Sequence, residues 1–171
     1  MQIIIVGCGN VGSTLTEQLS KEGHNITVID RDADRVESFV NQYDVMGIVG
    51  NGASFSVQND AGIENADLLI AVTTTDELNM LCCLIAKKAG NCNTIARVRN
   101  PVYGKEINYL KEELGLSMVI NPELTAALEI SRLLKFPSAI KVDTFAKGRV
   151  EIMKCRLSED SPLCNRSWVD I

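Results

Sequence analysis

Gly7-Cys8-Gly9-Asn10-Val11-Gly12 combines the residue types and the spacing needed to hold a diphosphate. Gly7 permits a tight turn, Gly9 lets a backbone come close to an anion, and Gly12 lets the helix that follows pack against the strand that precedes it. The first amides of such a helix have no intrahelical acceptor, so they face whatever anion lies in front of them. Asp30 closes the next apolar strand, Ile26-Thr27-Val28-Ile29. A carboxylate there accepts hydrogen bonds from ribose hydroxyls and repels a 2′-phosphate, so it selects adenosine ribose without that phosphate.

Other polar residues stand where such a ligand would extend. Thr73 and Thr74 offer hydroxyls either to the second half of a dinucleotide or terminal phosphate, or as caps for a helix beginning near Asp76. Arg97 interrupts the apolar run Ile95-Ala96-Arg97-Val98. A buried guanidinium needs a partner, which is either a phosphate held bidentately or an acidic neighbour. Arg99 lies on the same face if the strand continues, and Arg31, between Asp30 and Asp32, either contacts a phosphate or, as the commoner case, belongs to a solvated charge cluster.

Six cysteines stand at positions 8, 82, 83, 92, 155 and 164, but none forms a Cys-x-x-Cys pair and His24 is the only histidine, so no metal site is expected. Cys82 and Cys83 fall in an apolar helix and read as core, Cys8 sits inside the glycine turn, and His24 reads as a solvated turn residue. No Gly-x-Ser-x-Gly turn, His-Glu-x-x-His helix or Gly-Lys-Ser/Thr phosphate loop is present. With no acid or base placed opposite a reactive ring, the expectation is a binding module and not an enzyme.

The elements that must position these residues alternate. Apolar runs at 3–6, 26–29, 45–49, 68–72, 94–98 and 118–120 read as strands covered on both faces. Helical patterns at 11–20, 33–41, 54–61, 77–89, 104–114 and 123–134 separate them, with Gly23 as a left-handed cap and Pro101 and Pro122 at strand-to-helix turns. This predicts an α/β fold: a doubly wound, Rossmann-like parallel sheet of six strands in the order 3-2-1-4-5-6. The chain reverses direction between strands one and four, which leaves a crevice above their carboxyl ends for the ligand.

After residue 135 the pattern changes. Phe136-Pro137-Ser138 breaks the helix, and 139–145 and 150–157 read as a β-hairpin turning at Lys147-Gly148. A tail containing Trp168-Val169 stops without a closing element. The expected organisation is a nucleotide-binding domain over 1–135, then a linker and the partial start of a second, smaller domain over 136–171.

With 171 residues, 46% of them hydrophobic, the chain can bury one sizeable core. A net charge of −5 without any basic run argues against nucleic acid or an anionic lipid surface as partner. No apolar stretch reaches the roughly 18 residues of a membrane span, and the N-terminus carries no leader pattern, so the expected location is cytoplasmic without direct membrane insertion.

Several motifs together resemble one family: Met1 to Gly12; Gly50-Asn51-Gly52 leading to Ala61-Gly62-Ile63-Glu64-Asn65-Ala66-Asp67; Ile70-Ala71-Val72-Thr73 with Asp76-Glu77-Leu78-Asn79; Ala96-Arg97-Val98-Arg99-Asn100-Pro101; and Val119-Ile120-Asn121-Pro122-Glu123. They are similar to the regulatory RCK, or KTN, domains of potassium transport systems, and most of all to the N-terminal half of Trk-type potassium uptake regulatory subunits. The resemblance spans about residues 1 to 135, and the hairpin resembles the start of that family's next domain. It implies a regulatory subunit, peripheral on the inner face of the cell membrane, that forms homodimers or a ring against a membrane potassium-translocating subunit. Bound NAD(H), or alternatively ATP or ADP, would change its shape and gate the pore. By the same resemblance the ligand would contact Gly7, Gly9, Asn10, Val11, Gly12 and Asp30, with Asn51 near adenine, Thr73 and Thr74 near the distal part and Arg97 near phosphate. Glu123 matches a cation-binding position of some relatives, though a carboxylate favoured by the dipole in the first turn of a helix is the simpler reading, and no metal residue is expected. The last helix, with Leu124, Ala127, Leu128, Ile130, Ser131 and Leu134, has an apolar stripe that the resemblance assigns to a partner subunit. Two other readings stand beside this one: a truncated NAD-dependent oxidoreductase, and an assembly module with a vestigial nucleotide site.

Overall fold

A computed structural model describes residues 1–135, 139–145, 149–157, 161 and 167. Strands β1 (Gln2–Val6), β2 (Asn25–Asp30), β3 (Met46–Val49), β4 (Leu68–Ala71), β5 (Asn93–Arg97) and β6 (Met118–Ile120) form one sheet in the order β3-β2-β1-β4-β5-β6. Every neighbouring pair is parallel, with Ile3 beside both Ile26 and Leu68. Helices α1 (Asn10–Lys21), α2 (Ala33–Tyr43), α3 (Phe55–Asp60), α4 (Asp76–Ala89), α5 (Pro101–Lys105) and α6 (Ile107–Glu113) make the crossovers, with a single 3-10 turn at Ile63–Asn65 before β4. The doubly wound topology is the one that the alternating runs predict.

Successive strand residues point to opposite faces, and both faces are covered. Ile4, Val6, Ile29, Leu69 and Ala71 pack against Cys82, Cys83 and Ala86 of α4. Ile3, Ile5, Ile26 and Val28 pack on the other side with Val36 and Phe39 of α2. Each such aliphatic side chain contributes about 1.5–3 kcal/mol by leaving water, which is why the strands read as continuous apolar runs.

Local signals set the helix ends. Asp32 caps α2 by accepting hydrogen bonds from the amides of Asp34 and Arg35 at 3.1 and 3.3 Å. Gly23, with φ +79°, follows the end of α1. The single helix expected over 104–114 is two. Asn100 Oδ1 accepts from the Val102 amide at 3.0 Å, starting α5 at Pro101, and Glu106, at φ −106° and ψ 13°, separates it from α6.

The chain divides into two compact units, 1–122 and 123–171. Helix α7 (Pro122–Lys135), which lies within the 1–135 range expected for the first domain, has no buried residue and falls almost entirely in the second unit. That unit also contains β7 (Ala139–Phe145) and β8 (Val150–Cys155), an antiparallel pair. The Phe136-Pro137-Ser138 break, the Lys147-Gly148 turn, Cys164 and the Trp168-Val169 pair lie outside the described residues.

Candidate functional site

A cavity of about 410 Å³ opens above the carboxyl ends of the central strands, where the topology reverses. Gly7, Gly9, Asn10 and Val11 reach it from the β1–α1 turn, Asp30, Arg31 and Arg35 from the end of β2 and the start of α2, Gly50 and Gly52 from the loop after β3, Thr73 and Thr74 from the loop after β4, and Arg97 from β5. Elements far apart in sequence thus bring eight of the ten expected ligand residues to one space. Gly12 and Asn51 do not line it.

The glycines of the turn do different work. Gly7 has φ +111°, and a Cβ there would stand 3.0 Å from the Thr73 amide nitrogen and the Val72 carbonyl. A Cβ on Gly12 would lie 2.0 Å from the Gly7 carbonyl oxygen, so glycine is required for α1 to pack under the turn. A Cβ on Gly9 would meet no other protein atom within 4 Å, and Gly9 caps α1 with ordinary extended backbone, φ −90° and ψ −169°. Packing therefore gives no reason for glycine at position 9, whereas close approach of a ligand does. The first α-helical bond of α1 runs from the Ser13 amide to the Gly9 carbonyl at 2.8 Å, and this leaves the amides of Asn10, Val11 and Gly12 ahead of the helix's own bonding pattern.

Asp30 faces this helix start. Its Oδ2 accepts from the Cys8 amide at 2.7 Å and its Oδ1 from the Asp32 amide at 3.1 Å. An ionised carboxylate has about four acceptor positions, so capacity remains for hydroxyls of a ligand. Burial, and secondarily the negative Asp30, pushes the Cys8 thiol up to about 12. At 5% exposure it is a protonated core thiol and not a reactive thiolate.

Asn51 is exposed on the Gly50–Gly52 loop and its Oδ1 accepts from the Ala53 amide at 3.2 Å. Arg97 Nη1 donates to the Thr73 carbonyl at 3.5 Å. Arg99 is directed elsewhere: its Nη2 donates to the Thr74 carbonyl at 2.6 Å, and its Nε lies 3.8 Å from Asp76 Oδ1. Neither Thr73 nor Thr74 caps α4; the capping position is Thr75, with no side-chain hydrogen bond. His24 lies at the amino end of β2, away from the cavity, with Nε2 3.5 Å from Glu22. Among the described residues no three His, Cys, Asp or Glu side chains converge on one point, and no helix is long and apolar enough to cross a membrane.

Two residues escaped the sequence reading. Arg35 lines the cavity while its Nε sits 3.2 Å from Asp32 Oδ2, a pairing that the i, i+3 spacing at the start of α2 could have signalled. Asn79 is fully buried beneath Thr73 and Arg97. Its signal was an amide side chain within the otherwise apolar 78–86 stretch.

The TrkA-N domain family matches residues 3–122. The Trk system potassium uptake protein TrkA homolog of Archaeoglobus fulgidus is 40% identical over 171 residues, covering 100% of this chain and 39% of the relative. The chain thus spans less than half the length of that curated relative. Among solved structures, the TrkA-N domain of inner membrane protein ybaL from Escherichia coli superposes with a TM-score of 0.69 at 27% identity, over 78% of this chain and 96% of that one. The GsuK channel bound to NAD superposes with a TM-score of 0.59 at 21% identity, over 84% of this chain and 24% of that one, a likeness of fold.

Proposed function

The chain belongs to the TrkA-N domain family, and from that premise we propose that its cavity is an adenine nucleotide site and that the chain is the ligand-sensing part of a potassium uptake regulatory subunit. The observation that carries the proposal is the pairing of Gly9 with Asp30: a cavity-lining glycine that packing does not require, at the start of α1, opposite a carboxylate with acceptor capacity to spare. The amides of Asn10 and Val11 would hold the diphosphate, Asp30 the adenosine ribose, Arg97 a phosphate, and Thr73 and Thr74 the distal part of the ligand. Gly7 and Gly12 shape the turn, and Asn51 is kept as the neighbour of adenine. NAD(H) is the leading ligand, with ATP or ADP as alternatives. The naming of the Archaeoglobus relative and the NAD named with the GsuK channel support this reading.

The remaining parts of the proposal concern assembly. The subunit would sit on the cytoplasmic face of the membrane against a potassium-translocating partner, as a homodimer or larger ring, and gate the pore without consuming its ligand. Ligand can do this only by binding two assembly shapes with different affinity. Leu124, Leu128, Ile130 and Leu134 of α7 are each more than half exposed, which suits a contact between copies. Calorimetry with NADH, NAD⁺, ATP and ADP is expected to show binding that Asp30→Ala weakens by about 1–3 kcal/mol, the value of charge-assisted contacts. Recovered NADH should be unoxidised, and light scattering should find at least a dimer. Absence of binding by all four nucleotides, or an unchanged affinity in a folded Asp30→Ala variant, would overturn the assignment of the site.

A further inference from the structure

Asn79 lies in the first turn of α4 with 1% of its surface exposed. Its Oδ1 accepts two hydrogen bonds from one residue, from the Thr73 amide at 2.7 Å and from Thr73 Oγ1 at 2.6 Å, and its Nδ2 donates to the Arg97 carbonyl oxygen at 2.9 Å. Chemistry decides which way this side chain points. A backbone N–H can only donate and a backbone carbonyl can only accept, so the amide oxygen must face Thr73 and the amide nitrogen must face Arg97. The same logic fixes a proton. An amide oxygen has none to give, so the Thr73 hydroxyl is the donor in its contact with Asn79. A hydroxyl carries a single proton, and for Thr73 it is spent.

Thr73 lines the cavity. We infer that Asn79 is a positioning residue that makes Thr73 an obligate hydrogen-bond acceptor at its end of the cavity, so that this end selects a ligand group bearing a donor, a sugar hydroxyl or a carboxamide N–H, over a phosphate oxygen. The inference rests on the nucleotide reading above and narrows it. An ionised terminal phosphate has only acceptors and would meet Thr73 lone pair to lone pair. A second ribose has hydroxyl protons to donate. The one Asn79 side chain also holds the backbone of Arg97, whose guanidinium stands beside the Thr73 carbonyl. A cation suited to the diphosphate and an acceptor suited to the sugar beyond it are thus kept in register, and a nucleoside diphosphate extended by a second sugar matches both.

Calorimetry on the intact chain with ADP and ADP-ribose tests this, because the two differ by the distal ribose. The wild type is expected to bind ADP-ribose more tightly. Thr73→Val keeps the shape and removes the lone pairs, and should reduce the ADP-ribose to ADP affinity ratio by about fivefold, the value of one neutral hydrogen bond. Thr73→Ser should restore the ratio. Asn79→Leu frees the Thr73 proton, and where it folds it should shrink the same ratio partly by tightening ADP. Because Asn79 is buried, the two Thr73 variants carry the decision. Binding of both ligands with an unchanged ratio in Thr73→Val would overturn this inference and leave the nucleotide site standing. Failure of the wild type to bind either ligand would overturn both.

Discussion

Arg97 and Arg99 stand two residues apart and do different work. Strand alternation puts them on one face, but β5 ends at Arg97, and beyond it the backbone turns under the control of Asp76, whose Oδ2 accepts the amides of Arg99 and Asn100 at 2.9 and 2.7 Å. Arg99 is thereby drawn to Thr74 and Asp76, and Arg97 is left at the cavity. Arg97→Ala is expected to flatten discrimination among ATP, ADP and NADH more than it weakens binding overall, since their phosphates present different charge to one guanidinium. Titration of all three ligands checks this, and an unchanged ranking would remove Arg97 from the selective part of the site. Gly7, Gly9 and Asp30 were legible because each answers a local need, a turn, a close approach or the end of a strand. The partners of Asp30 and Asn79 were not legible, since the Cys8 amide, Thr73 and the Arg97 carbonyl reach them only through the folded sheet.

Among the elements, the first turn of α1 separates packing from binding within three residues. Gly12→Ala drives a Cβ to 2.0 Å from the Gly7 carbonyl oxygen, so α1 must move off the strand. Overpacking of this kind costs about 1–3 kcal/mol, and the denaturant midpoint should fall accordingly. Gly9→Ala meets no protein atom within 4 Å and has backbone angles that alanine adopts, so stability should stay within about 0.5 kcal/mol of wild type. Its nucleotide affinity should nevertheless drop. Equal behaviour of the two variants in both measurements would contradict the division of labour. Strands were readable to within a residue or two because burial of the inner strands β1, β2 and β4 on both faces leaves runs that are almost wholly apolar. The α5–α6 break was hidden, because Asn100 moves the helix start ahead of Gly104 and the local backbone of Glu106 then interrupts it.

At the scale of the whole molecule, the core holds an unusual stock of thiols. Burial pushes Cys8 and Cys82 up to about 12 from an ordinary 9.0, and Cys83 and Cys92 are raised by the same cause. In the unfolded chain these groups lose their protons near pH 9, while in the folded chain they keep them. The native state therefore binds more protons above pH 9, and stability must fall as pH rises from about 9 to 12, by about 1.4 kcal/mol per pH unit for each of Cys8 and Cys82. Urea unfolding at pH 8 and pH 10 should show a clear loss, and Cys82→Ala should make the slope shallower; a flat profile would contradict the protonated core. The strand order has its own consequence for how the chain is made. β1 leaves the ribosome before both of its sheet neighbours and is an inner strand of the finished sheet, with Ile3 paired to Ile26 on one side and to Leu68 on the other. Nascent chains that stop short of Leu68 carry the Ile3-Ile4-Ile5 run with one bare edge, a template for wrong pairing. Demand for chaperones should accordingly peak at those lengths and decline once β4 has docked.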